Sequence, residues 1–282
     1  MHLTQYDSMF SFISRFNGNV LALLVVGLTV LSSCDEGNDP NQTPEYIVPG
    51  PVVTVNSYPL EVGNRWVYSM RTVITGDFSD DDNYMIDFSV ESDTTIGGVP
   101  CKKVRGTETA GTVIGNDRLG FRYFAHTGFG LEMLAYWGTN TQVFFKDEQR
   151  SGVDDFSFIS GFKTNTSDVV VREIPLRYMA LPSVDGDIWG SEEFIPESSF
   201  KRKWAGFYTV TTDAGTFNCM KLELFSDQDN HSIPQAAGGL FLEQYISPEY
   251  GLIKEVHTSD LNTSEGQTAV MVRETNLVSK NF

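Results

Sequence analysis

The sequence predicts an all-β body: antiparallel curved sheets in a sandwich or partly open barrel, made of two similar halves. Three observations carry this. Alternating β-branched and aromatic segments recur from residue 57 onward, without sustained helical periodicity. Turn-forming runs separate them at short intervals. Three short residue patterns occur twice, in the same order. The composition agrees, because 282 residues that are 40% hydrophobic, with 20 Phe, 11 Tyr and 4 Trp, supply ample core. Lys+Arg total 20 against 37 Asp+Glu, a net charge of −17. Such a chain repels phosphate backbones, which argues against nucleic acid as a partner. Three Cys make no disulfide scaffold.

The N-terminus reads as an address. Residues 20–31, VLALLVVGLTVL, form a 12-residue apolar run. A spanning helix needs about 20 residues, so the run fits the core of a secretory signal. Leu31-Ser32-Ser33-Cys34 follows at once. It resembles a bacterial lipobox, in which cleavage precedes Cys34 and the thiol becomes the thioether to diacylglycerol. Met9 is a better start than Met1, since it keeps Arg15 and drops Asp7. Asp35-Glu36-Gly37-Asn38-Asp39 resembles the surface-export signal of Bacteroidota lipoproteins; in other Gram-negative groups an Asp there means inner-membrane retention. Residues 35–56 carry Pro40, Pro44, Pro49 and Pro51 among polar residues and read as a flexible tether. The expected organisation is a signal peptide over 1–33, a lipidated Cys and tether over 34–56, and a β body over 57–282.

Within the body, strands are expected at Arg65–Thr75, Tyr84–Val90, Asp168–Arg172, Phe207–Thr212, Met220–Phe225 and Thr268–Val272. Gly97-Gly98, Gly115-Asn116-Asp117, Gly138-Thr139-Asn140 and Asp213-Ala214-Gly215 supply turns. Short helical turns are expected near Asp154–Ile159 and His231–Ala237.

The repeated patterns divide the body into halves of about 57–181 and 182–282. Pro59 stands seven before Trp66 and Gly63 three before it; Pro182 and Gly186 stand likewise before Trp189. Cys101 has Gly97 four before and Lys103 two after, and Cys219 has Gly215 and Lys221 at the same offsets. Phe124-x4-Phe129-Gly130-Leu131 is matched by Tyr245-x4-Tyr250-Gly251-Leu252. Similar hairpins using similar turns is the alternative explanation. The reading predicts two buried anchors, Trp66 and Trp189, each opening a strand. Trp137 and Trp204 have no matching context. Cys101 and Cys219 are expected as two buried free thiols rather than a disulfide.

Tyr58-Pro59-Leu60-x-x-Gly63-x-x-Trp66-x-Tyr68, Ala214-Gly215-Thr216-Phe217-x-Cys219 and Tyr245-x-x-Pro248-x-x-Gly251-Leu252-Ile253-Lys254 resemble the recurring motifs of a family of Bacteroidota-type exported lipoproteins. The likeness covers most of residues 57–260 and departs at Glu249-Tyr250. It implies fold and location. It implies no catalytic residue.

A search for chemistry finds little. His126, His231 and His257 have no spacing that makes a metal motif. No G-x-S-x-G elbow and no P-loop occurs. Asp80-Asp81-Asp82-Asn83 and Asp227-Gln228-Asp229-Asn230 lack EF-hand spacing and read as solvated hairpin tips. Neighbours in a strand point to opposite faces, so Asp154-Asp155 and Glu192-Glu193 are not glycosidase couples in themselves. Phe121, Tyr123, Phe124, Phe129, Tyr136 and Trp137 could line a ligand face, but core and cross-strand pairing is the simpler reading. The catalytic, cofactor and metal sets are therefore empty, and Cys34 is the one site residue. The sequence predicts a non-enzymatic lipoprotein of the bacterial envelope, at the outer membrane and surface-exposed, anchored through Cys34. Its role would be ligand binding, partner binding or scaffolding. The alternatives are a carrier or chaperone for an apolar molecule and a glycan-binding or glycan-active protein.

Overall fold

Strict alternation of apolar and polar side chains turns each expected segment into a strand whose two faces differ. The computed structural model describes residues 46–77, 79–110, 120–137, 169–190, 200–226, 240–262 and 268–282. Every regular element among them is a strand: β1 (Tyr46–Pro49), β2 (Arg65–Gly76), β3 (Asp80–Ile96), β4 (Val99–Ala110), β5 (Gly120–Thr127), β6 (Gly130–Trp137), β7 (Val170–Met179), β8 (Ile188–Gly190), β9 (Phe200–Thr212), β10 (Gly215–Ser226), β11 (Leu240–Ser247), β12 (Gly251–Asn262) and β13 (Thr268–Asn281). The helical turns expected at 154–159 and 231–237 lie outside the described residues, as do Cys34 and the signal.

The strands form one antiparallel sheet in the order β1-β9-β10-β11-β12-β13-β2-β3-β4-β5-β6-β7, with β8 also on β9. The sheet is open and does not close into a barrel, in line with the partly open alternative. The expected halves are instead continuous with each other, because β13 pairs with β2 from Ala269↔Gly76 to Asn281↔Arg65. The sheet folds back on itself, since side chains from its far ends meet. The Arg202 guanidinium of β9 lies 4.7 Å from the Tyr178 ring centroid of β7. Trp204 Nε1 donates to the Ala180 carbonyl at 3.0 Å. The enclosed face carries a fully buried aromatic layer of Tyr58, Trp66, Tyr68, Phe88, Phe124, Tyr178 and Trp204.

The halves share a local design. Gly63 N donates to Val90 O and Val90 N to Asn64 O; Gly186 N donates to Trp204 O and Trp204 N to Asp187 O. Asn64 N reaches Glu61 O and Asp187 N reaches Val184 O, both at 3.0 Å. Trp66 and Trp189 each open the strand that follows, β2 and β8. Lys103 pairs with Tyr123 and Lys221 with Tyr245 across corresponding hairpins. Trp204 does have a matching place: it occupies the position of Val90 and lies 5.9 Å from the Trp189 ring. Cys101 and Cys219 are both free and buried.

The expected tether is shorter than read. From Tyr46 the chain joins the sheet, pairing Tyr46↔Thr211 to Pro49↔Tyr208. Residues 50–60 then cross the end of the sheet as a strap. Gly50 N donates to Phe207 O, and Val55 N donates to Ser183 Oγ at 2.7 Å. His126 Nε2 donates to the Tyr58 carbonyl at 2.9 Å, and the Tyr58 hydroxyl accepts from Leu252 N at 3.1 Å. The prolines suggested an unstructured linker. However, Tyr46-Ile47-Val48 is β-prone, and Pro49 and Pro51 suit an edge strand that needs few donors. Val55, Tyr58 and Leu60 supply the buried anchors.

Candidate functional site

Register builds a polar band inside the apolar face. Trp204 pairs with Leu222, Leu222 with Gln244, Gln244 with Glu255 and Glu255 with Thr275. Directly opposed residues share a face, so Gln244, Glu255 and Thr275 stand in one inward row. The adjacent row runs Arg202, Leu224, Leu242, His257, Arg273 and Thr72. Tyr178 and Arg122 come from β7 and β5 on the other side of the fold-back. Gln244, Glu255, His257, Thr275, Arg122, Arg202 and Tyr178 are all buried.

Gln244 organises the band. Its Nε2 donates to Glu255 Oε2 at 2.6 Å and to the Tyr178 hydroxyl at 3.2 Å. Its Oε1 and the Thr275 hydroxyl are buried with no hydrogen-bond partner among the described residues. Burying charges is costly unless they are matched, and electrostatics bind this group together. Burial pushes the Tyr178 hydroxyl well above the ordinary phenol range; Glu255 adds to the rise, while Arg202 and Arg122 oppose it. Burial likewise raises Tyr58 and Tyr68. Arg202 is drawn below its ordinary value by burial, with Tyr178 and Glu255 countering. Phenols held neutral across the physiological range serve as hydrogen-bond partners and not as bases.

The residues singled out in the sequence are dispersed. His126 fastens the strap, His257 lies in the band, and His231 is outside the described residues. Burial raises the thiols of Cys101 and Cys219 above their ordinary value, which suppresses thiolate chemistry. The Asp80–Asp82 cluster opens β3, where Asp81 pairs with Arg71 at 2.7 Å; the clusters at 154–155, 192–193 and 227–230 are outside the described residues. Among the described residues, no three His, Cys, Asp or Glu are placed to hold a metal. The aromatic group divides between faces. Phe124 joins the main core, while Phe121 and Tyr123 pack with Cys101, Ala125, Leu134 and Ala135 in a second cluster.

The band itself escaped sequence reading. One signal was present: Leu242-x-Gln244-x-Ile246 places an amide in an otherwise apolar face of a strand. Nothing local indicates that Tyr178, Arg122 and Arg202 converge on it, because that depends on the fold-back.

What fold and band define together is an all-β protein with one open antiparallel sheet and a buried polar centre. No family model matches the chain, and no curated protein matches it. Solved structures give distant likenesses. One is a protein from Bacteroides fragilis described as exported, with a YmcC-like fold, at 11% identity and a TM-score of 0.37, covering 81% of this chain and 100% of that one. Another, from Parabacteroides distasonis and described as a lipoprotein, shows 14% identity and a TM-score of 0.36 over 82% of this chain and 100% of that one. A third is an outer membrane lipoprotein-sorting protein domain from Vibrio parahaemolyticus, at 9% identity and a TM-score of 0.16 over 78% of this chain and 85% of that one.

Proposed function

We propose that the chain is a lipid-anchored, non-enzymatic protein of the bacterial cell envelope, placed at the outer membrane and facing outward. The polar band on its enclosed face is the seat for a bound ligand. The Leu31-Ser32-Ser33-Cys34 run supports the anchor. The observation that carries binding over catalysis is the state of the band. Tyr178 is held neutral beside Gln244, Glu255 and Arg202, an arrangement suited to holding a polar group. The fully buried aromatic layer beside it favours this over storage of a long apolar chain.

Two measurements test the reading. Radiolabelled palmitate should enter the full chain, and Cys34→Ala should abolish labelling and shift the protein out of the membrane fraction. If Cys34→Ala is labelled and fractionates like the parent, the anchor assignment is wrong. Native mass spectrometry of the full chain should show a co-purifying small molecule that Arg202→Gln loses. An adduct-free parent from its native host would remove the ligand seat.

A further inference from the structure

We infer that the end of the sheet bearing the tight turns is the face that meets the lipid surface, with Phe129 in contact with it and Val62 close by. This rests on lipidation of Cys34. In an antiparallel meander, alternate connections fall at the same end. One end here carries Gly97-Gly98, Gly128-Phe129, Asp213-Ala214 and the 248–250 turn. The turn before β2, with Val62, and the turn before β8, with Val184, open toward the same end but are set back from the hairpin tips, beside Val90 and Trp204.

The chain enters at this end. Tyr46 pairs with Thr211, one residue before the last residue of β9 and the Asp213-Ala214 turn. Twelve residue steps separate Cys34 from Tyr46. As a coil they span about 19 Å, and fully extended no more than about 40 Å. The far end of the β9–β10 hairpin lies about 40 Å from its tip, at roughly 3.3 Å per residue over the 12 residues of β10. Turning the opposite end toward the bilayer would need the whole linker stretched along the body, with nearly all its conformational freedom lost. The turn end needs no stretching.

Side chains at this end fit the same orientation. Phe129 is 65% exposed, Val184 53% and Val62 48%. Tyr46, Val48, Val52 and Phe282 are exposed there as well. These exposed apolar groups open toward one end, and the surface nearest that end is the bilayer that holds the anchor. Glu61, Asp213 and Glu249 share this end with basic groups, Arg177 at 5.0 Å from the Phe129 ring centroid and Lys280 at 4.3 Å from that of Tyr250, so it carries both signs of charge. An uncharged, zwitterionic surface is therefore the matching one.

The test uses the full acylated chain in phosphatidylcholine vesicles containing a nitroxide-labelled lipid. A fluorophore is attached through Val62→Cys, Phe129→Cys or, at the opposite end, Asp80→Cys; Cys101 and Cys219 are buried and stay unlabelled in the folded protein. Quenching should be several-fold stronger at 62 and 129 than at 80. Equal quenching at all three positions, or stronger quenching at 80, overturns the inference while leaving the anchor intact. Intact-mass measurement on the same sample separates the two failures: a chain without acyl groups on Cys34 overturns the anchor and this inference with it.

Discussion

Substituting Gly251 by Ala tests how the strap is held. Gly251 has φ +74°, in the left-handed region, and a Cβ there would lie 2.6 Å from the Tyr58 ring. Gly97 is a matched control, with φ +58° and nothing within 4 Å of the place a Cβ would take. Both changes incur the left-handed cost, about 1–2 kcal/mol. Only Gly251→Ala must also displace Tyr58. Overpacking at such a site costs about 1–3 kcal/mol. Moving the Tyr58 hydroxyl also strands the buried Leu252 N–H that it accepts from, a loss of about 1–3 kcal/mol. The expected penalty is therefore about 3–8 kcal/mol for Gly251→Ala against about 1–2 for Gly97→Ala. Total stability is typically about 5–15 kcal/mol, so the first is severe and the second modest. Urea unfolding followed by tryptophan fluorescence reads both. Equal midpoints for the two variants would refute the reasoning, because they would mean that Tyr58 can leave without consequence.

Trp66→Ala should cost toward the top of the usual 3–5 kcal/mol range for a buried Trp, since it also removes the Nε1 donor to the Tyr250 carbonyl at 2.7 Å. Trp189→Ala should cost less, because its Nε1 has no hydrogen-bond partner among the described residues and its strand is three residues long; equal denaturant midpoints would contradict this. Thiol titration of the denatured, unreduced Cys34→Ala chain should find two free thiols, from Cys101 and Cys219, and finding none would place a disulfide there. Alkaline pH should unfold the protein steeply. Tyr58, Tyr68 and Tyr178 stay protonated when folded, whereas the unfolded phenols ionise near pH 10, so stability is unaffected below that pH and falls above it. Three such groups remove about 4 kcal/mol per pH unit; absorbance at the phenolate band should rise with unfolding, and ionisation of the folded protein near pH 10 would overturn their burial.

Much of the architecture was legible because alternation and turn chemistry are local. The strands at 65–75, 207–212 and 220–225 and the turns at Gly97-Gly98 and Asp213-Ala214 follow from nearest-neighbour preferences. The paired Trp and Cys contexts were legible for the same reason, and the matching bonds at Gly63 and Gly186 give them a structural counterpart. The strap was misread because its prolines dominate its composition, while its anchors Val55, Tyr58 and Leu60 show their worth only against partners more than 60 residues away. A soluble form therefore has to begin upstream of Tyr46, not at residue 57. The polar band was illegible because it joins β5, β7, β9, β11, β12 and β13, and a buried Arg looks like any surface Arg until the sheet turns back over it.

The seam between β13 and β2 carries a consequence for biogenesis. Residues 269–281 pair with residues 65–76, so the first long strand waits for the last. Synthesis delivers the chain N-terminus first, and until residue 281 has emerged, β2 presents an open hydrogen-bonding edge toward β13. Contacts of this separation form slowly, and unpaired edges invite association with other chains. The window of exposure lasts for most of the chain's synthesis, and it closes with the arrival of the fourteen-residue strand β13.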